Sequence, residues 1–256
     1  MVQENLVALQ SILTKEVTRY FRIWIQTLLP PAITMSLYFV IFGNLIGEKI
    51  GQMDDKPYIA YITPGIIMMS VITNSYSNVV SSFFSAKFQR HIEELLVSPV
   101  PNIYILLGYI GGGVSRGLLT GAIVTGISLF FVDLEIHNWF VVFVVILLTS
   151  TLFALGGFIN AVFAKKFDDI SIVPTFILTP LTYLGGVFYT ISLLPEFWQK
   201  VSMANPILYM VNAFRYGFLG RSDIALEVAF TIIGIFIVAL FSFALYLLNT
   251  GKGLKS

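Results

Sequence analysis

Six long, mostly apolar stretches, at residues 24–46, 58–84, 103–132, 139–163, 172–194 and 224–249, constrain this chain more than any other feature of it. The hydrocarbon core of a bilayer is about 30 Å thick and takes about 20 helical residues to cross, and each stretch is long enough. Composition agrees: 57% of the 256 residues are hydrophobic and 11% are charged, too apolar a balance for a water-soluble domain of this size to bury. A β-barrel would alternate in polarity along each strand, whereas runs such as WFVVFVVILLTSTLFALGGF are apolar at consecutive positions. The prediction is an all-α polytopic membrane protein with six transmembrane helices.

An even number of spans puts both termini on one side, and the placement of Lys and Arg chooses which. Lys15, Arg19, Arg22, Lys87, Arg90, Lys165, Lys166, Lys252 and Lys255 lie in the termini and the second and fourth connections; Lys49, Lys56, Lys200, Arg215 and Arg221 lie in the other three. That excess predicts cytoplasmic termini, including a tail over 250–256. The absence of cysteine decides little, and a net charge of +1 gives no sign of a nucleic-acid partner. Residues 1–23 lack the compact apolar core and cleavage site of a signal peptide. Leu6, Leu9, Leu13, Val17, Tyr20 and Trp24 instead share one helical face, the pattern of a helix lying in the inner headgroup plane; an ordinary charged flank orienting the first span is the alternative.

The connection AKFQRHIEELLVSPVP, residues 86–101, concentrates charge in a chain that has little. Read as a helix over 86–97, it puts Phe84, Phe88, Ile92, Leu95 and Leu96 on one face, and Lys87, Arg90, His91 and Glu94 on the other, with Glu93 beside them. Ser98, Pro99 and Pro101 stop it. Such a helix either docks a soluble partner or anchors the loop to lipid headgroups, and amphipathicity alone does not choose.

Enzymatic patterns are missing. No phosphate-binding G-x-x-x-x-G-K-[ST] loop occurs; the nearest lookalike, GKGLKS at 251–256, has the wrong order. His91 and His137 have no partner at metal-binding spacing, and neither H-E-x-x-H nor G-x-S-x-G is present. The paired acids Asp54, Asp55 and Asp168, Asp169 sit in connections. No catalytic, cofactor or metal site is predicted on this chain.

Within the spans, Ser70, Asn74, Ser77, Asn78, Ser81 and Ser85 form one polar stripe, and Thr175, Thr179, Thr182 and Gly186 form another between Pro174 and Pro180. Such stripes serve helix packing, a pathway wall or a dimer seam. Arg116, preceded by GGGVS, is the one basic residue deep in a span, so it needs a partner or a function: a backbone carbonyl freed by the glycines, a lipid phosphate or an anionic substrate. In the fifth connection, PEFWQKVSMA and NPILYMVNAFRYGFLG each look helical, with Asn205 as N-cap and Pro206 first in the second helix, yet each is too short to span. They suggest a re-entrant hairpin with Trp198, Tyr209 and Tyr216 near the headgroups, or a cap with only a folding role.

Four segments carry a resemblance: RIWIQTLLPPAITMSLYFVIFGNLIG, PGIIMMSVITNSYSNVVSSFFSAKFQRHIEELLVSPVP, DDISIVPTFILTPLTYLGGVFY, and LLP followed by NPILYMVNAFRYGFLG. Together they resemble the ABC-2 class of ATP-binding-cassette transporter permeases, most closely the YadH-type permeases of the bacterial inner membrane. The match is nearly end to end, weakest over 48–57, 133–148 and 222–245. The resemblance implies that Lys87, Phe88, Arg90, His91, Glu93, Glu94 and Leu95 belong to a coupling helix seated on a cytoplasmic ATPase. Asp168 and Asp169, cytoplasmic on the charge-derived topology beside Lys165 and Lys166, are either solvated loop charge or a second contact with that ATPase. The resemblance also implies that a hairpin containing Asn205, Pro206 and Arg215 closes the outer exit. ATP and Mg would sit on two separate ATPase subunits, and this chain would form a homodimer surrounded by membrane lipids. The expected work is export of a lipidic, amphiphilic, glycan or drug-like substrate. An ion-coupled carrier and a membrane scaffold without transport are the rival readings; the first wants titratable groups at mid-membrane, which the spans lack.

Overall fold

The computed structural model describes residues 2–134 and 136–254, so the last two residues of the 250–256 tail lie outside the described residues. Helix α1 runs Val2–Arg22. After a break at Ile23, α2 covers Trp24–Ile50, broken again at Leu28 and wound as a π-helix over Phe39–Ile46. A small antiparallel hairpin follows, β1 (Gln52–Met53) and β2 (Lys56–Pro57), turning through Asp54 and Asp55 at positive φ. Then come α3 (Tyr58–Phe88), α4 (His91–Val97), α5 (Asn102–Ser128) and α6 (Trp139–Phe163). The chain closes with α7 (Asp169–Leu184), α8 (Glu196–Met203), α9 (Pro206–Leu219) and α10 (Leu226–Thr250).

Among the described residues, α2, α5, α6 and α10 are each long and apolar enough to cross a bilayer. Helix α3 has 31 residues, ample length for a crossing, but carries the Ser and Asn stripe that lowers its hydropathy. It is the axis of the bundle: α5 and α6 pack along it, and Tyr61, Tyr76, Phe83 and Phe84 are all but fully buried. Phe83 stands edge-on to Tyr109 of α5 and lies 4.3 Å, centroid to centroid, from Phe158 of α6. Polar residues are tolerated here because protein, not lipid, surrounds them.

Two expectations are corrected. The fifth stretch is not one helix over 172–194: α7 stops at Leu184, and Gly185 and Gly186 turn the chain, Gly186 with φ of +73°. Only a short 3₁₀ turn, Ile191–Leu193, follows. The buried face of α1 is also rotated from the apolar one read in the sequence. Ile12 and Glu16 are buried together with Tyr20 of the expected face, Leu9, Leu13 and Val17 of that face are half-buried, and Leu6 and Trp24 are exposed. Ile12 lies over Gly108 of α5, Glu16 over Gly112, and Tyr20 donates to Ser115. These contacts advance by about a turn along both helices, so α1 runs beside α5. A Cβ on Gly112 would come within 2.5 Å of Glu16 Cβ, so glycine is what allows the approach.

Candidate functional site

The end of the bundle that carries 86–101 is built around a helix break. Lys87 and Phe88 finish α3, and Arg90 takes a left-handed backbone, φ 63°, before α4 starts at His91. The helix predicted over 86–97 is therefore two elements at an angle, because a left-handed residue cannot continue a right-handed helix. Ile92 is 1% exposed and seats α4 on the bundle; His91, Glu93 and Glu94 face outward and Leu95 is half-buried. The last carbonyls of a helix lack intrahelical donors. Lys87 supplies one: its Nζ donates to the Val162 and Ala164 carbonyls at the end of α6, the latter at 2.9 Å.

The loop after α6 completes this end. Phe167 stands edge-on to both Phe84 and Phe88, which brings Asp168 and Asp169 beside the break. Asp169 Oδ2 accepts from the Lys165 and Lys166 amides at 2.8 and 3.0 Å. Those bonds hold the Asp169 carboxyl, ahead of the fifth apolar stretch, below the usual aspartate pKa. Between the break, the end of α6 and the segment after α10 lies a cleft of about 510 Å³, lined by Phe84, Lys87, Phe88, Arg90, Glu93 and Lys165 among others.

Deeper in the bundle the polar stripe of α3 holds two arginines, Arg116 buried and Arg19 half-buried. Arg116 Nη2 donates to the Thr27 carbonyl at 3.0 Å and to Asn74 Oδ1 at 2.9 Å, and Asn74 Nδ2 donates to the Ser70 carbonyl at 2.9 Å. Thr27 has a free carbonyl because the residue four positions on is Pro31, which has no N–H. Arg19 Nη2 donates to the Asn78 carbonyl and Oδ1, both at 2.9 Å, and lies 3.3 Å from Glu16 Oε2; Ser82 donates to the other Glu16 oxygen. Ser77 is half-buried on the flank of this stripe. Sequence reading missed Glu16, a fully buried carboxylate. Its signal was the four-residue spacing of Ile12, Glu16 and Tyr20 facing the glycine run 111–113.

At the opposite end, Asn205 caps α9 by accepting from the Ile207 amide at 3.0 Å and reaches back to the Leu181 carbonyl at 2.6 Å. Pro206 occupies the first turn, where its missing N–H costs nothing. Arg215, 2% exposed, donates to the Gly186 carbonyl at 2.6 Å and lies 4.0 Å from the Tyr61 ring centroid. The three residues thus join α9 to the turn that ends α7 and to α3. Of the threonines, Thr182 is buried, while Thr175 and Thr179 are exposed; all three line a cleft of about 200 Å³ facing Met69, Thr73 and Tyr76.

Comparison with known proteins places this architecture. The family model for the ABC-2 type transporter matches residues 7–219. Over 250 residues the chain is 60% identical to the inner membrane transport permease YadH of Escherichia coli K12, covering 98% of each chain. It is 28% identical over 190 residues to nodulation protein J of Sinorhizobium fredii, covering 73% of this chain and 71% of that one. For nodulation protein J of Rhizobium leguminosarum the figures are 24% over 215 residues and 82% of each. With a bundle of apolar helices about a polar axis and a family match across most of its length, the chain belongs to the ABC-2 type transporter permeases.

Proposed function

We propose that the chain is the membrane-spanning subunit of an ATP-binding-cassette exporter of the bacterial inner membrane, working as a homodimer with two separate ATPase subunits that carry ATP and Mg. One transmembrane domain of six crossings, with both termini cytoplasmic, accounts for the charge distribution; α3 supplies the second crossing and α7 with the following turn supplies the fifth. In this reading α8 and α9 form the re-entrant outer hairpin, with Asn205, Pro206 and Arg215 holding the gate. The threonine-lined cleft beside α7 faces the pathway or the second copy, and the substrate is lipidic, amphiphilic, glycan or drug-like.

The observation that carries the reading is the break at Gln89 and Arg90. It leaves a short helix with outward Glu93 and Glu94 attached to the end of α3, the most enclosed helix of the bundle. A force on α4 enters the axis of the molecule directly, so rigid-body rocking of the spans follows from motion of a bound ATPase. Lys87, Phe88, Arg90, His91, Leu95, Asp168 and Asp169 surround that lever. Among the described residues an ion-coupled carrier finds one buried acid, Glu16, but Ser82 and Arg19 already occupy its oxygens.

The test is ATP turnover of the candidate ATPase reconstituted with this chain, compared with a variant carrying Glu94→Arg and Arg90→Glu. The expected result is a stable wild-type complex and loss of assembly or of coupled turnover in the swap. An ATPase that never co-purifies, with a swap that changes nothing, would return the segment to a headgroup anchor and favour a carrier or scaffold.

A further inference from the structure

The segment after α10, written off above as a failed phosphate-loop lookalike, has a defined path. Gly251 ends α10 in a left-handed turn, φ 66°, and the Leu254 amide closes that turn onto the Gly251 carbonyl at 3.2 Å. Gly253 follows at φ 77°, so close to the end of α6 that a Cβ there would meet Val162 Cγ1 at 3.0 Å and the Val162 carbonyl at 3.1 Å. Only glycine fits both the angle and the gap. Leu254 is then 4% exposed and forms a wall of the cleft that holds Phe84, Lys87, Phe88 and Arg90. The Val162 carbonyl is shared ground: Lys87 donates to it, and Gly253 lies against it.

Most of α10 faces outward, and at this end it is held by the buried side chains of Ala244, Leu247 and Leu248 and by Phe243 stacked on Phe163. At this end it has one side-chain hydrogen bond to the start of α5, Asn102 Nδ2 to Asn249 Oδ1 at 2.9 Å. An apolar side chain buried against the base of the break ties the last helix to the joint where α4 leaves α3.

We infer that Leu254 is a positioning residue of the coupling joint: seated beside Lys87 and Phe88, it holds the break in the shape through which motion of a bound ATPase reaches both α3 and α10. This rests on the permease reading above. Its test uses the full-length chain co-expressed with the partner ATPase, as wild type, Leu254→Asp, Leu254→Met and Gly253→Val. A single cysteine at Lys165→Cys, on the rim of the same cleft, carries a polarity-sensitive fluorophore; the natural chain has no cysteine to compete.

Leu254→Asp is expected to keep the ATPase bound and leave the KM for ATP in place while lowering kcat of the complex about tenfold, with the probe shifting to longer wavelength. Gly253→Val should behave likewise. Leu254→Met should return kcat to within about twofold of wild type, a rescue that a general folding defect would not show. A captured ATPase whose kcat is unchanged in Leu254→Asp overturns the positioning role alone. A wild-type chain that captures no ATPase overturns the permease reading and this role with it.

Discussion

Pro31 removes one N–H from the first turn after Leu28, and the molecule uses the vacancy: the orphaned Thr27 carbonyl receives Arg116. Losing that guanidinium leaves a buried carbonyl and the Asn74 amide oxygen without donors. Arg116→Leu should therefore destabilise the chain by about 3 kcal/mol, read as a lower thermal midpoint in detergent, and Arg116→Lys by less. Pro31→Ala restores the missing donor, so the double variant Pro31→Ala, Arg116→Leu should be less destabilised than the sum of the singles, by at least about 0.5 kcal/mol. Strict additivity would show that Arg116 does not serve that carbonyl. The lone charge of Arg116 was legible in the sequence, where the carbonyl offered to it was one freed by the preceding glycines rather than by a proline. That the carbonyl belonged to Thr27 was not, because it depends on which helix lies alongside. Glu16 was hidden for a different reason. Summed hydrophobicity picked the face of α1 with more leucines, whereas hydrogen bonds to Arg19 and Ser82 and the gap at Gly112 selected the other.

At the scale of elements, the break before α4 is made without glycine or proline, the residues that announce such breaks. The apolar phase of Phe84, Phe88 and Ile92 continues across it, so periodicity alone joined the two pieces. A non-glycine residue in a left-handed conformation costs about 1 kcal/mol. Arg90→Gly should then leave α4 in place and raise stability by up to about that amount, whereas Arg90→Val should lower it and expose 86–101 to limited proteolysis. If Arg90→Gly loosens the segment instead, the guanidinium rather than the backbone shapes the turn. The end of α7 shows the opposite case, since the glycine pair at 185–186 was visible in the sequence and the long apolar count outweighed it. At α9 the Asn205 cap and Pro206 were read at their positions, and Asn205→Ala should cost about 1 kcal/mol of stability together with the tie to Leu181.

For the whole molecule, composition and run length carried the class, and the outward faces of α2 and α10 are the apolar surface that composition required. What composition could not carry was the centre, where the most buried helix is also one of the more polar. Orientation is open to direct measurement because the chain has no cysteine. Single cysteines at Lys165 and Arg221 should react with a membrane-impermeant thiol reagent from opposite sides of sealed vesicles, and one at Phe243, on the apolar flank of α10, from neither. Reaction of both loop sites from one side would refute the six-crossing arrangement. The buried polar contacts also have an order in time. Every acceptor of Arg116, and likewise Gly186 and Tyr61 for Arg215, lies earlier in the chain than the arginine it satisfies. Lys87 is the reverse, since its acceptors Val162 and Ala164 are made later, but it sits half-buried at the rim of the bundle where water can serve meanwhile. A ribosome delivering this protein into a bilayer thus never leaves the guanidinium of Arg116 or Arg215 waiting for a partner not yet synthesised, and Arg19, whose Asn78 acceptors come later, has Glu16 beside it from the start.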